Sequence, residues 1–106
     1  MDFGEIIKAL KDGKCCYRKG WNGKGLFVYK QIPNTVDLKQ MINMKSMPLD
    51  AKLRNQCNFN TLTFSNQCII CNKLTQTADS WVPSISDIFA EDWEIHDRVY
   101  PPMQAQ

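Results

Sequence analysis

The sequence predicts an α+β domain: a small antiparallel sheet with an N-terminal helix and a short helix before the last strand. Three observations predict it. Apolar residues recur at helical spacing near the start, runs of strand composition separated by turn residues follow, and a Ser-x-x-Asp signature precedes a final alternating segment. At 106 residues the chain can bury one hydrophobic core but not two.

The opening helix places Phe3, Ile6, Ile7 and Leu10 at i, i+3, i+4 and i+7, which makes one apolar face. Asp2 and Glu5 have capping-box spacing, with Asp in place of the usual Ser or Thr. Gly13 follows the last periodic residue, the place of a C′ glycine. This helix serves packing. Residues 15–18 then read as a strand and 26–31 as its partner, with Asn22-Gly23 as a turn signal between them. The loop over 19–25 is longer than a two-residue hairpin turn, and loops of that length and glycine content commonly hold a ligand or move.

In 33–60, Val36, Leu38, Met41 and Ile42 suggest one or two helical turns, and the methionine spacing through Met47 suggests a loosely packed flap. Pro48 breaks any helix there, and polar residues dominate 55–60, so the region reads as a variable insertion or interface arm. Residues 61–65 and 67–72 have strand composition with a turn near Ser65-Asn66, and 74–77 adds another short strand. Ser84 and Asp87 start a short helix through about Glu91, and 93–99 alternates apolar and polar residues as a closing strand. The expected organisation is one domain over 1–100 with an insertion at about 33–60, followed by a frayed tail at 101–106.

Composition sets limits on function. An apolar fraction of 43% with 23% charged residues is ordinary for a globular chain, and a net charge of +2 is too small to argue for a polyanionic partner. No run approaches the roughly 18 apolar residues of a membrane span. The start, Met1-Asp2-Phe3-Gly4-Glu5, lacks the basic region and apolar run of a signal peptide, so a cytoplasmic location is expected. Five cysteines at irregular spacing suit reduced thiols.

Two dense motifs carry the chemistry. The first is Arg18-Lys19-Gly20-Trp21-Asn22-Gly23-Lys24-Gly25. It sets an aromatic plate, cations and three glycines on one turn, where backbone N–H groups approach a ligand closely and a base finds a flat face. The second is Trp81-Val82-Pro83-Ser84, then Asp87, then Ala90-Glu91-Asp92-Trp93. Together they suit an anionic, ring-bearing small molecule.

In this order, and preceded by Phe3-Gly4-Glu5, the motifs resemble the phage anti-Thoeris proteins of the second type. The match covers roughly 2–31 and 77–95. The resemblance implies a non-catalytic sponge that sequesters a cyclic ADP-ribose isomer made by a bacterial TIR-domain enzyme, in the cytoplasm of the infected host. It also implies a homo-oligomer, dimer or tetramer, with pockets between protomers, and cyclic dinucleotides as ligands of some related members. Two positions depart from the expected pattern: Ile85 stands in place of a glutamine, and Ser80 in place of a commoner glycine. Either change alters which signal is preferred.

Each candidate ligand-binding residue has a structural reading beside the functional one. Trp21 offers a plate for adenine, worth about 1–3 kcal/mol per stacked base, or packs against the helix or a second protomer. Arg18, Lys19 and Lys24 neutralise a pyrophosphate or form a solvated basic turn. Asn22, with Gly20 and Gly23, donates to phosphate or ribose or merely forms the turn. Ser84 and Asp87 cap a helix whose N-terminus favours an anion. Thr77 and Asp79, on the preceding loop, are plausible ribose contacts, and Trp93 reads as core.

Cys68-Ile-Ile-Cys71 invites a zinc reading, but a structural zinc needs four ligands, and Cys57, His96 and the Cys15/Cys16 pair stand at irregular distances. Isoleucines within the motif suit a buried strand. No cofactor or metal is expected. His96, the single histidine, has no Ser/His/Asp or Cys/His grouping assembled around it in sequence, so catalysis is disfavoured. The competing readings are an enzyme that degrades a nucleotide signal and a single-stranded nucleic-acid binder. A sponge that outcompetes a receptor needs roughly nanomolar affinity, about −12 kcal/mol. One stacked base and one pyrophosphate contact fall short of that, and enclosure between protomers closes the gap.

Overall fold

A computed structural model describes residues 1–21 and 24–96. In chain order the elements are α1 (Phe3–Lys11), β1 (Cys16–Arg18), a 3-10 turn (Lys19–Trp21), β2 (Leu26–Lys30), β3 (Asn34–Asp37), α2 (Leu38–Ile42), α3 (Leu49–Asn58), β4 (Thr61–Phe64), β5 (Cys68–Asn72), β6 (Thr77–Trp81), α4 (Ile85–Phe89) and β7 (Trp93–Ile95). The chain divides into two compact units, one of residues 1–31 with the chain from 67 onward, the other of residues 32–66.

The first unit is the predicted α+β arrangement. Its five strands run antiparallel in the order β6-β5-β2-β1-β7, which places the N-terminal hairpin strands inside the sheet. Helix α1 starts where the Asp2 side chain accepts the Glu5 N–H at 2.9 Å and ends at Gly13, whose φ of +83° favours glycine. It buries Ile6, Ala9 and Leu10. Ile7, expected on that face, stays exposed.

The registers Cys16↔Val28, Cys16↔Ile95 and Val28↔Ile70 stack one side chain from each of β7, β1, β2 and β5 on the helix-bearing face. Ile6, Cys16, Val28 and Trp93 are fully buried there, with Phe3, Trp21, Ile70 and Trp81 packed around them. Burying side chains of this size contributes about 1.5–3 kcal/mol each. Trp93 is the hub: Phe3, Trp21 and Trp81 lie at centroid separations of 5.7, 5.2 and 6.0 Å in tilted or edge-on geometry.

The second unit pairs β3 with β4 antiparallel and carries α2 and α3. Val36 and Met41 are buried, and the hydroxyls of Thr35 and Thr63, directly opposite in register, meet at 2.8 Å. Asp37 and Gln40 form a full capping box for α2.

Four expectations need correction. Val36 lies on a strand, β3, rather than in the helical stretch, because pairing with Leu62 buries it. Helix α3 takes up positions 49–58, where no helix is expected from the sequence, with Pro48 at its N-cap and Lys52 tied to the Ile42 carbonyl at 2.8 Å. Strand β4 pairs with β3 instead of turning back onto β5. The short strand expected at 74–77 is a turn: the Asn72 side chain accepts from the Leu74 and Thr75 N–H groups, and Gln76 adopts a φ of +57°. The strand follows it, as β6. Helix α4 ends at Phe89, and of the closing strand Trp93–Ile95 is observed; positions 97–99 and the tail lie outside the described residues. No helix among the described residues is long and apolar enough to cross a membrane.

Candidate ligand-binding site

The two sequence motifs meet in one polar network in the first unit. Strand β1 ends at Arg18, opposite Trp93 in register, so the chain entering β7 passes directly beneath the hairpin turn. The Lys19 N–H donates to the Asp92 carbonyl at 3.0 Å, and the Gly20 N–H donates to Asp92 Oδ2 at 2.9 Å. Arg18 Nε donates to Asp92 Oδ1 and Nη1 to Asp87 Oδ1, both at 3.0 Å. The guanidinium fork therefore spans two carboxylates.

Asp87 belongs to the capping box of α4. Its Oδ2 accepts the Ser84 N–H at 2.9 Å, while its own N–H donates to Ser84 Oγ at 3.1 Å. Its backbone carbonyl accepts the indole N–H of Trp93 at 2.9 Å. Hairpin, helix cap and aromatic core are thus joined through Asp87, which is buried.

The electrostatics follow from that wiring. Burial alone would raise the pKa of Asp87, but its bonds to Ser84 and Arg18 outweigh burial and hold it below the usual carboxylate value. Asp92 is lowered by the Gly20 N–H first and Arg18 second. Arg18 is raised above its ordinary value, chiefly by its bond to Asp92. Beside the network, Glu94 is lowered by the Tyr17 hydroxyl at 2.6 Å and by Lys19, whose Nζ lies 3.2 Å from its carboxylate. Two residues before Arg18 on the same strand, burial pushes the Cys16 thiol up to about 11.

The structure brings Arg18, Gly20, Ser84 and Asp87 together. Arg18 bonds to two protein carboxylates, the charge it would otherwise turn toward a pyrophosphate. Trp21 is half-buried, its ring edge-on to Trp93 at 79°. Lys24 is exposed. Asn22 and Gly23 lie outside the described residues. Thr77 and Asp79 sit on edge strand β6 rather than on a loop, sharing its helix-side face with Trp81. No hydrogen bond or ion pair among the described residues joins either to the Arg18 network; the Thr77 hydroxyl pairs with Thr75 at 2.7 Å.

Sequence reasoning missed Asp92 as the central acceptor. The available signal was charge: the hairpin carries cations, and Asp92 is the carboxylate just before the strand that pairs with β1. Gly20 also had a reason beyond turn-making, since a Cβ there would lie 3.1 Å from Asp92 Oδ2. Chemically, the network is an ion-paired brace that ties Arg18 and Gly20 to the α4 N-terminus. The cysteines Cys68 and Cys71 lie on β5, half-buried, and no cluster of three or more His, Cys, Asp or Glu side chains able to hold a metal occurs among the described residues.

The family model of the Thoeris anti-defense 2-like domain matches residues 1–96. A Bacillus phage SP01 protein named Thoeris anti-defense 2 is 36% identical over 100 residues, spanning 90% of this chain and 93% of that relative.

Proposed function

The chain belongs to the Thoeris anti-defense 2-like family, and on that premise we propose that it blocks Thoeris defence by sequestering a cyclic ADP-ribose-type signal without breaking it. The observation that carries the reading is the match over 1–96, which contains both motifs and every described residue of the Arg18 network. The ligand site is the hairpin turn with the α4 cap: Trp21 supplies the aromatic surface, Lys24 and the turn's backbone meet the pyrophosphate, and the α4 end faces a ribose or phosphate oxygen. Arg18, Asp87 and Asp92 hold these groups in place.

The carboxylate chemistry supports a trap over an enzyme. A general acid must carry a proton to give, and a general base must have a lone pair within reach of substrate. Asp87 and Asp92 are held ionised, and their oxygens are occupied by Arg18, Gly20 and Ser84. Pockets completed between protomers are supported by the α4 surface: Val82, Ile85 and Phe89 are 85, 72 and 77% exposed around the Ser84 cap. Large apolar side chains that open to water beside a polar site favour burial against a partner protomer.

Isothermal titration with a cyclic ADP-ribose isomer tests the proposal. Binding of roughly nanomolar affinity, about −12 kcal/mol, is the expected result, with Trp21→Ala weaker by about tenfold, the lower end of one stacked base. No heat beyond dilution with any cyclic ADP-ribose isomer overturns it.

A further inference from the structure

On the sheet face away from α1, a cavity of about 200 Å³ is lined by Gly13, Lys14, Cys15, Phe27, Lys73 and His96. Its position follows from strand alternation. Val28 and Cys16 point into the helix-side core, so Phe27 and Cys15 point the other way. Phe27 meets Tyr29 at 6.5 Å and His96 at 6.1 Å between ring centroids, and His96 meets Tyr17 at 5.3 Å, so one wall is aromatic. The rim is basic. Lys73 Nζ stands 5.5 Å over the Phe27 ring and 3.5 Å from His96 Nε2, and Lys14 lines the same space. Among the described residues no carboxylate pairs with Lys14 or Lys73, in contrast to Arg18 and Lys19.

We propose that this cavity binds a ring-bearing phosphate monoester, with the ring against Phe27 and the phosphate between Lys14 and Lys73. Three considerations select that class. The volume is below the roughly 300–1,000 Å³ of drug-sized pockets, so it matches a ring with one anionic group rather than a whole dinucleotide. Two ammonium groups match a phosphate monoester, which is close to dianionic at neutral pH. Lys73 gains by the exchange, because a charge-assisted hydrogen bond to phosphate outweighs a cation held over an exposed ring. An arriving phosphate draws the ammonium off the ring and uncovers the face that the ligand's ring occupies. The cavity lies across the sheet from the Arg18 network and is independent of which signal the protein sequesters.

Phenyl phosphate is the probe, titrated into 15N-labelled protein and followed by NMR, with inorganic phosphate and phenol as the two halves. The expected result is saturable shifts at Gly13, Cys15, Phe27, Lys73 and His96, with each half alone binding at least about tenfold more weakly. Lys14→Ala and Lys73→Ala each weaken phenyl phosphate by about tenfold, the loss of one charge-assisted bond, while Lys45→Ala leaves it unchanged. Phe27→Leu weakens phenyl phosphate and spares inorganic phosphate. Absence of localised shifts up to about 10 mM probe, weaker than the millimolar end of the affinity scale, overturns the assignment. So does binding that the two lysine variants leave intact. Neither outcome touches sequestration of the cyclic signal, which the calorimetry reads separately.

Discussion

Replacing Arg18 with alanine is the most revealing perturbation of the fold. The substitution deletes both ion pairs at once and leaves Asp87, with a side chain only 11% exposed, without a counter-ion. Removing one partner of a buried pair costs about 3–5 kcal/mol, whereas an exposed pair is worth about 0–1. Asp87 lies near the first limit and Asp92, at 32%, near the second. Arg18 itself is 21% exposed, which screens the loss. The expected cost at neutral pH is about 3 kcal/mol, or about 12 °C in melting temperature at about 4 °C per kcal/mol. Its pH dependence is distinctive. In the wild type, both aspartates have folded pKa values below the unfolded value of about 3.9, so their contribution is full above it and fades as pH falls through the folded values. In Arg18→Ala, the two Ser84 bonds still oppose burial of Asp87 but the share of the lowering that Arg18 supplied is gone for both aspartates, so acid costs the variant less than it costs the wild type. Urea unfolding followed by tryptophan fluorescence at pH 7 and about 3.5 therefore shows a gap that narrows in acid. A variant within about 0.5 kcal/mol of wild type at pH 7, the size of an ordinary surface change, refutes the reasoning, as does a gap that stays constant.

Other outcomes follow from the same geometry. Arg18→Lys recovers less than half of the alanine loss in urea unfolding, because a single ammonium cannot span Asp87 and Asp92 as the fork does. Gly20→Ala destabilises by about 1 kcal/mol in the same assay, since the new Cβ meets Asp92 Oδ2 at 3.1 Å and that carboxylate is bonded to Arg18 and Gly20. Under native thiol labelling at pH 8 read by mass spectrometry, exposed Cys57 reacts first and Cys16 stays unmodified, because its thiol is buried with a pKa near 11. On the proposed sharing of pockets between protomers, native mass spectrometry is expected to find a dimer or tetramer, and Phe89→Asp to shift it toward monomer by placing a charge beside exposed Val82 and Ile85.

The parts of the fold legible in the sequence were those whose signal is local. The α1 cap and its Gly13 terminus, the hairpin strands and the Ser84–Asp87 box each declare themselves within a few residues, and the structure contains all of them. The second unit was obscure because its elements draw on other signals. Helix α3 has no buried residue, only an Asp50–Arg54 pair one turn apart at 2.9 Å, so no apolar stripe marks it. Strand β6 is an edge strand with four exposed residues of five, which erases the alternation that reveals a half-buried strand. The site was half legible for a similar reason. Both motifs were visible as candidates, but Asp92 meets Arg18 across 74 positions of chain, and pairing at that range depends on sheet order. Lys14, Phe27, Lys73 and His96 likewise share no local pattern; strand pairing alone assembles them.

The central claim is that the signal is held and not consumed. Purified protein in molar excess is mixed with a TIR-derived cyclic ADP-ribose isomer, free ligand is removed by filtration, the retained protein is heat-denatured, and the released material is identified by chromatography. The account predicts that the ligand vanishes from the filtrate and returns intact and in full after heating. Recovery of an altered product, or ligand that passes freely into the filtrate, contradicts it.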